Sequence, residues 1–168
     1  MRAVAVVVVT ALLAAGCATT GAVPRPFPQP EPPPPPTVPS AGSTVSGERA
    51  PLVGTALSLR GAPYRDGGGD PSGFDCSGFV AYVFAQQGQF VPRTVVEQYQ
   101  LGSAVDRQAI EGGDLVFFST TSSGASHVGI AISNQEFVHA PSSSGVVRIE
   151  SLAGRYWASR YVGARRVP

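Results

Sequence analysis

The chain has 168 residues, of which 12 are basic and 11 acidic, so its formal charge at pH 7 is +1. So small a net charge gives no long-range attraction to polyanions, and nucleic acid is therefore excluded as a partner recognised by bulk charge. The length suffices for one domain once a processed leader is subtracted.

The first 16 residues are predicted to be a signal peptide. Arg2 supplies the positive start, and the apolar run 3–13 is too short to span a bilayer as a mature helix. The end of this run, Leu13-Ala14-Ala15-Gly16-Cys17, resembles the processing site of a bacterial lipoprotein. The resemblance implies cleavage before Cys17, diacylation of its thiol and acylation of the new amino terminus. The alternative is an ordinary secretory signal followed by an incidental cysteine.

Residues 17–50 are predicted to be a lipid-anchored tether. Positions 24–39 contain ten prolines, a composition that favours polyproline II and cannot build a core. At about 3.1 Å per residue, residues 18–50 could extend on the order of 100 Å. We expect a semi-rigid arm that holds a domain away from a membrane.

Residues 51–168 are predicted to form one folded domain. Helical spacing of apolar residues predicts a first helix around 52–57 and a second over 76–87, and a capping-box pattern starts a third at Thr94. Short β-rich runs predict strands at 115–119, 127–132, 136–140, 146–150 and 161–165. Helices followed by a run of short strands indicate an α+β fold, with N-terminal helices packed on a central antiparallel sheet of about five strands.

Cys76 is the candidate nucleophile. It stands where a glycine-rich loop meets the predicted second helix, and a helix N-terminus can lower a thiol pKa from about 8.5 to roughly 3.5–7.5. Exported compartments favour disulfides, yet an acylated Cys17 leaves Cys76 without a partner in the chain. Such a thiol is either a small buried hydrophobe or is kept for chemistry.

The two histidines of the chain, His127 and His139, lie on consecutive predicted strands. A three-residue hairpin loop at 133–135 would pair Gly129 with His139 and place His127 diagonally beside it, about 7–8 Å away between Cα atoms. A two-residue loop would put the histidines on opposite faces. In the first register, His127 is the base for the thiol and His139 orients it. The alternatives are two structural histidines or a Cys-His-His metal site.

The motifs around these residues occur in the order found in the NlpC-type cell-wall peptidases, which the segment 51–168 resembles over nearly its whole length. They are Gly61-Ala62-Pro63-Tyr64, Gly67-Gly68, Asp75-Cys76-Ser77-Gly78-Phe79-Val80, Pro92-Arg93-Thr94, Gly113-Asp114-Leu115-Val116-Phe117-Phe118, His127-Val128-Gly129-Ile130 and Phe137-Val138-His139-Ala140. The resemblance implies a papain-like fold and a triad of Cys76 as nucleophile, His127 as base and His139 as third member.

Three further residues receive roles through the same resemblance. The Tyr64 hydroxyl would help the backbone N–H of Cys76 to hold an oxyanion, and Asp75 and Ser77 would line the pocket for a peptide stem. The plainer alternatives are a loop anchor for Tyr64, a helix cap for Asp75 and a first-turn residue for Ser77. Arg93 matches a family motif in which a structural role is expected.

The resemblance implies a hydrolase of peptidoglycan stem peptides, and we expect a monomer that needs neither a cofactor nor a metal. The family's usual bond joins the γ-carboxyl of D-glutamate to diaminopimelate or lysine, while some members cut the cross-link between stems. The alternatives are a non-catalytic wall-binding lipoprotein and an acyltransferase or amidase on the same fold. Because Ala18 is not an acidic retention residue, we expect an outer-membrane anchor facing the periplasm, or a plasma-membrane anchor in an organism with a single membrane.

Overall fold

The computed structural model describes residue 47 and residues 49–168. The predicted signal peptide, the lipidated Cys17 and most of the tether lie outside these residues. Within them the structure has four α-helices and one 3-10 turn: α1 (Ala50–Ser58), α2 (Cys76–Ala85), α3 (Val95–Tyr99), α4 (Arg155–Ala158) and the turn Arg107–Ala109. Among the described residues, no helix combines the length and apolar character needed to cross a membrane.

The strands of this region form two antiparallel sheets. The smaller sheet pairs β1 (Gly69–Asp70) with β2 (Gly73–Phe74). The larger consists of β3 (Ser103–Val105), β4 (Leu115–Phe118), β5 (His127–Ala131), β6 (Glu136–His139), β7 (Arg148–Ser151) and β8 (Tyr161–Arg166). Its strands lie in the order β3-β8-β4-β5-β6-β7, and every neighbouring pair is antiparallel.

The α+β class predicted from the sequence is confirmed, with one more strand in the main sheet than expected. The additional strand is β3, which pairs with β8 at the sheet edge and has only three residues, all at least partly exposed. So short an edge strand carries no alternation of apolar and polar residues by which a sequence could reveal it. The short helix α4 was also not predicted, for the same reason of length.

The central strands are covered on both faces. On one face, apolar residues of α1 and α2 pack against Leu115, Phe117, Val128 and Ile130 of the sheet. On the other face a second apolar cluster contains Val116, Phe118, Ala131, Phe137, Leu152 and Trp157. Val128 and Ile130 of β5 belong to the first cluster, and Ala131, on the opposite face of the strand, belongs to the second. In the structure that face is covered, and Trp157 is part of its cover.

A buried charge cluster joins the beginning of the described fold to its end. The carboxylate of Asp114 is inaccessible to solvent and accepts hydrogen bonds from Arg49 at 3.0 Å and from Arg166 at 2.8 Å. Arg49 also donates to the backbone carbonyl of Val167 at 2.6 Å. Because Arg49 directly precedes α1, these bonds fasten the segment at which the predicted tether meets the domain.

Candidate active site

Cys76 is the first residue of α2, and the residue before it caps the helix. The carboxylate of Asp75 accepts a hydrogen bond from the backbone N–H of Gly78 at 2.7 Å, as an N-cap residue does. The glycines nearby serve close packing: a Cβ atom at Gly78 would overlap the backbone carbonyl of Gly68. This contact presses the loop before β1 against the first turn of α2 and so fixes the position of the thiol.

Arg93 secures this helix start from outside. Its guanidinium donates to both carboxylate oxygens of Asp75, at 2.6 and 2.9 Å, to the hydroxyl of Ser77 at 2.8 Å and to the carbonyl of Gly68 at 3.2 Å. Burial alone would raise the pKa of the Asp75 carboxyl, but the hydrogen bonds from Arg93 and Gly78 and the charge of Arg93 lower it overall. Asp75 is therefore ionised. The roles of Asp75 and Ser77 in substrate binding stay predictions.

A buried glutamine, which the sequence did not single out, supports the same turn. Gln98 of α3 is fully buried, and its Nε2 donates to the carbonyls of Ser77 at 3.0 Å and of Pro92 at 2.7 Å. The side chain therefore links α3 to the first turn of α2. Its helix has five residues, too few for a periodic pattern to show that Gln98 faces inward.

The register predicted for the histidine strands is confirmed. β5 and β6 pair Ile130 with Val138 and Ala131 with Phe137, as a three-residue loop requires. The two imidazoles lie on the same face, and His127 Nε2 is 2.6 Å from His139 Nδ1. His127 is 8% exposed and His139 is fully buried. The hydrogen bond leaves Nδ1 as the ring nitrogen of His127 not used by His139.

No sequence pattern predicted that an aromatic side chain would cover this histidine pair. Trp157, the single tryptophan of the sequence, stacks on His127 and also meets His139 edge to face. A lone tryptophan between two predicted strands was the available signal, since a residue so large is seldom left without a packing role.

The protonation states differ from the sequence prediction at one residue. Burial, and then the negative charge of Asp75, raise the pKa of the Cys76 thiol, although the backbone N–H groups of Val128, Ser77 and Cys76 oppose this. The predicted lowering of the thiol pKa is therefore wrong: desolvation outweighs the helix terminus, and the capping carboxylate adds to it.

Burial also keeps the histidines uncharged. It lowers the pKa of His127 to about 4. The pKa of His139 is lowered by burial first and then by the nearby charges of His127 and Arg148. At neutral pH the resting site thus contains a neutral thiol and two neutral imidazoles.

Tyr64 forms a β-bridge with Phe74, two residues before the candidate nucleophile. Its phenol pKa is raised by burial and then by the charges of Asp66, Cys76 and Asp75, so the hydroxyl remains a hydrogen-bond donor at neutral pH. The backbone N–H of Tyr64 donates to the carbonyl of Gly145 at 2.7 Å, which holds this loop against the turn before β7. The oxyanion role of Tyr64 stays a prediction. Among the described residues, no group of three or more His, Cys, Asp or Glu side chains is placed to hold a metal ion.

Known proteins match the chain across this domain. The model of the NlpC/P60 family matches residues 61–166. The murein DD-endopeptidase MepS/murein LD-carboxypeptidase of Escherichia coli K12 is 49% identical over 109 residues, which cover 64% of this chain and 57% of that protein. The gamma-DL-glutamyl hydrolase of Bacillus subtilis is 36% identical over 120 residues, covering 69% of this chain and 29% of that protein.

Solved structures agree with the sequence matches. The crystal structure of an NlpC/P60 family protein from Bacillus cereus superposes with a TM-score of 0.65 at 34% identity, covering 70% of this chain and 40% of that one. The papain-like fold predicted from the sequence is confirmed by such neighbours. From the extent of the family match and the agreement of the fold, we conclude that the chain belongs to the NlpC/P60 family of cell-wall peptidases.

Proposed function

We propose that the protein is a peptidoglycan endopeptidase that hydrolyses an amide bond in stem peptides through an acyl-enzyme on Cys76. The observation that carries this proposal is the 2.6 Å hydrogen bond between His127 and His139, on a strand packed against the helix that begins with the thiol. A base oriented by a third group next to a nucleophile is the arrangement that acyl transfer needs. The names of the relatives from E. coli and B. subtilis support hydrolysis of murein or glutamyl bonds.

Attack on the substrate begins from neutral groups. For His127 Nδ1 to accept the thiol proton, Nε2 must carry a hydrogen and donate it to His139 Nδ1. His139 then has its own proton on Nε2, a buried atom without a hydrogen-bond partner among the described residues. His139 therefore acts as a neutral hydrogen-bond acceptor. It orients His127, and it stabilises the imidazolium form of His127 through the dipole of its ring and not through a negative charge.

The covalent steps then balance without a cofactor. As the Cys76 sulfur bonds to the amide carbonyl carbon, the thiol proton moves to His127 Nδ1. The backbone N–H of Cys76 and the Tyr64 hydroxyl donate to the oxyanion. The imidazolium returns the proton to the leaving amine, the carbon–nitrogen bond breaks and a thioester remains. Water, deprotonated by His127, then attacks the thioester and releases the acid, and the thiol is restored.

The bond we assign is the one between the γ-carboxyl of D-glutamate and diaminopimelate. The name of the glutamyl hydrolase from B. subtilis supports this assignment. A second candidate is the D,D cross-link between stems, which the name of the E. coli relative favours. The chain spans 57% of the length of that relative.

The proposed location is the periplasmic face of the outer membrane, with acyl chains on Cys17. The small residues before Cys17 and the proline-rich segment after it support this proposal. Metabolic labelling with a palmitate analogue should mark the wild-type protein and leave Cys17→Ala unlabelled. Label retained by the variant would contradict the anchor.

Digestion of purified muropeptides, followed by mass spectrometry, tests the activity and identifies the bond. Cleavage after D-glutamate shortens the stem to two residues, whereas cleavage of the cross-link converts dimers to intact monomers. Cys76→Ala should abolish turnover and retain the wild-type circular dichroism spectrum, and Val96→Ala, at an exposed position, is the control expected to remain active. Turnover by Cys76→Ala would refute the mechanism, and binding to sacculi without released fragments by the wild type would indicate a wall-binding protein instead.

A further inference from the structure

Trp157 contacts both histidines of the candidate site. Its indole stacks on His127 with ring centroids 5.5 Å apart and an interplanar angle of 27°. It meets His139 almost perpendicularly, at 88° and 4.8 Å. The two imidazoles are themselves perpendicular, at 86° and 4.9 Å. One side chain thus restricts the orientation of both partners of the histidine hydrogen bond.

The indole also seals this hydrogen bond inside an apolar cluster. Trp157 packs against Phe118 at 4.8 Å and against Phe137 at 5.2 Å, and is itself 9% exposed. A hydrogen bond between neutral groups is stronger where water cannot compete for it. Without the indole, solvent would reach the side of the imidazoles that the apolar cluster now covers.

We propose that Trp157 is a positioning residue: its indole holds His127 and His139 in their hydrogen-bonded arrangement and excludes water from the bond between them. The inference deepens the proposed function, because it assumes that His127 is the base. Trp157 acts through the imidazoles and need not touch substrate. Its loss should therefore lower kcat and leave KM nearly unchanged.

The proposal has a consequence for pH. Besides the two imidazoles themselves, the charged group that acts on the pair is the Arg148 guanidinium of β7, the residue opposite His139 in the sheet. Burial holds the pKa of His127 at about 4. Admitting water where the indole stands weakens this desolvation, so the pKa should rise toward the ordinary value. The acid limb of kcat/KM should move to higher pH by the same amount.

The experiment compares Trp157→Leu with Trp157→Phe in the full-length protein. Selective ¹⁵N labelling of histidine reports on this pair alone, because the sequence has two histidines. In Trp157→Leu we expect the pKa of His127 to rise by about one unit and kcat to fall about 10- to 100-fold with KM changed less than about twofold. Trp157→Phe, which keeps a smaller aromatic ring at this position, should show a smaller rise in the pKa of His127 and a smaller fall in kcat.

Controls separate this inference from the proposed function. Tyr156→Leu removes the neighbouring, half-exposed ring of α4 and should leave the histidine titration unchanged. The histidine titration is repeated with the Trp157 variants made in the Cys76→Ala protein, because the titration does not depend on turnover. An inactive wild type would therefore refute the proposed function but would leave the titration test of Trp157 intact. A folded Trp157→Leu whose His127 titrates as in the wild type would overturn the inference. If that variant does not fold, an unchanged titration in Trp157→Phe would overturn it instead.

Discussion

Replacing Asp114 with alanine tests how firmly the segment before α1 is fastened to the domain. The buried carboxylate accepts two hydrogen bonds of 2.8 Å from Arg166, one of 3.0 Å from Arg49 and one of 2.9 Å from the backbone N–H of Glu111. Removing one partner of a buried ion pair costs about 3–5 kcal/mol. We expect about 3 kcal/mol, because the Arg49 and Arg166 side chains are 21% and 33% exposed and regain hydration.

Urea unfolding measures this loss as a lower midpoint at unchanged slope. In a thermal scan, about 3 kcal/mol corresponds to a drop of about 10 °C for a domain of this size. Arg49→Ala retains the bonds from Arg166 and should cost about 1–2 kcal/mol. Because both changes remove the Arg49–Asp114 pair, the double variant should lose less stability than the sum of the two single losses. A wild-type midpoint for Asp114→Ala, or full additivity of the two changes, would refute this account of the cluster.

Three further outcomes are expected. The pKa of His127 is lowered to about 4, so the unfolded chain binds more protons than the folded one between pH 4 and 6.5, and stability falls on acidification. From pH 7 to 5 the His127 share of this loss should be about 2 kcal/mol, measured by urea titration as the difference between the wild type and His127→Gln, and an equal loss in the two proteins would contradict it. Gly78→Ala should destabilise the domain and slow turnover, because the new methyl group overlaps the Gly68 carbonyl. Gly54→Ala, which adds a methyl group in open space within α1, should raise stability by about 0.5–1 kcal/mol. Equal changes in the stability of the two variants would disprove the close contact at Gly78. Lysine in Arg93→Lys cannot donate both hydrogen bonds to the Asp75 carboxylate, so the variant should lose about 1 kcal/mol of stability and part of its activity. A variant with the kcat and Tm of the wild type would show that Arg93 does not position the start of α2.

Local sequence patterns determined the class of the fold and limited the two histidines to two possible arrangements. Apolar spacing marked α2, and the capping carboxylate of Asp75 marked its start at Cys76. For the histidines, the sequence reduced the question to the length of the loop after β5, and the structure has the register in which His127 and His139 share a face. These features depend on residues close together in the chain, and their physical causes are helix periodicity and strand alternation.

Only the tertiary structure decided the environment of those residues. The electrostatic balance at Cys76 depends on how much water the packed domain removes from the thiol, and this reversed the direction predicted from the helix terminus. Trp157 covers the histidines although 30 positions separate it from His127 in the chain, and Asp114 finds its arginines 65 and 52 positions away. Burial and long-range pairing are properties of the folded chain as a whole, so no local pattern of residues encodes them.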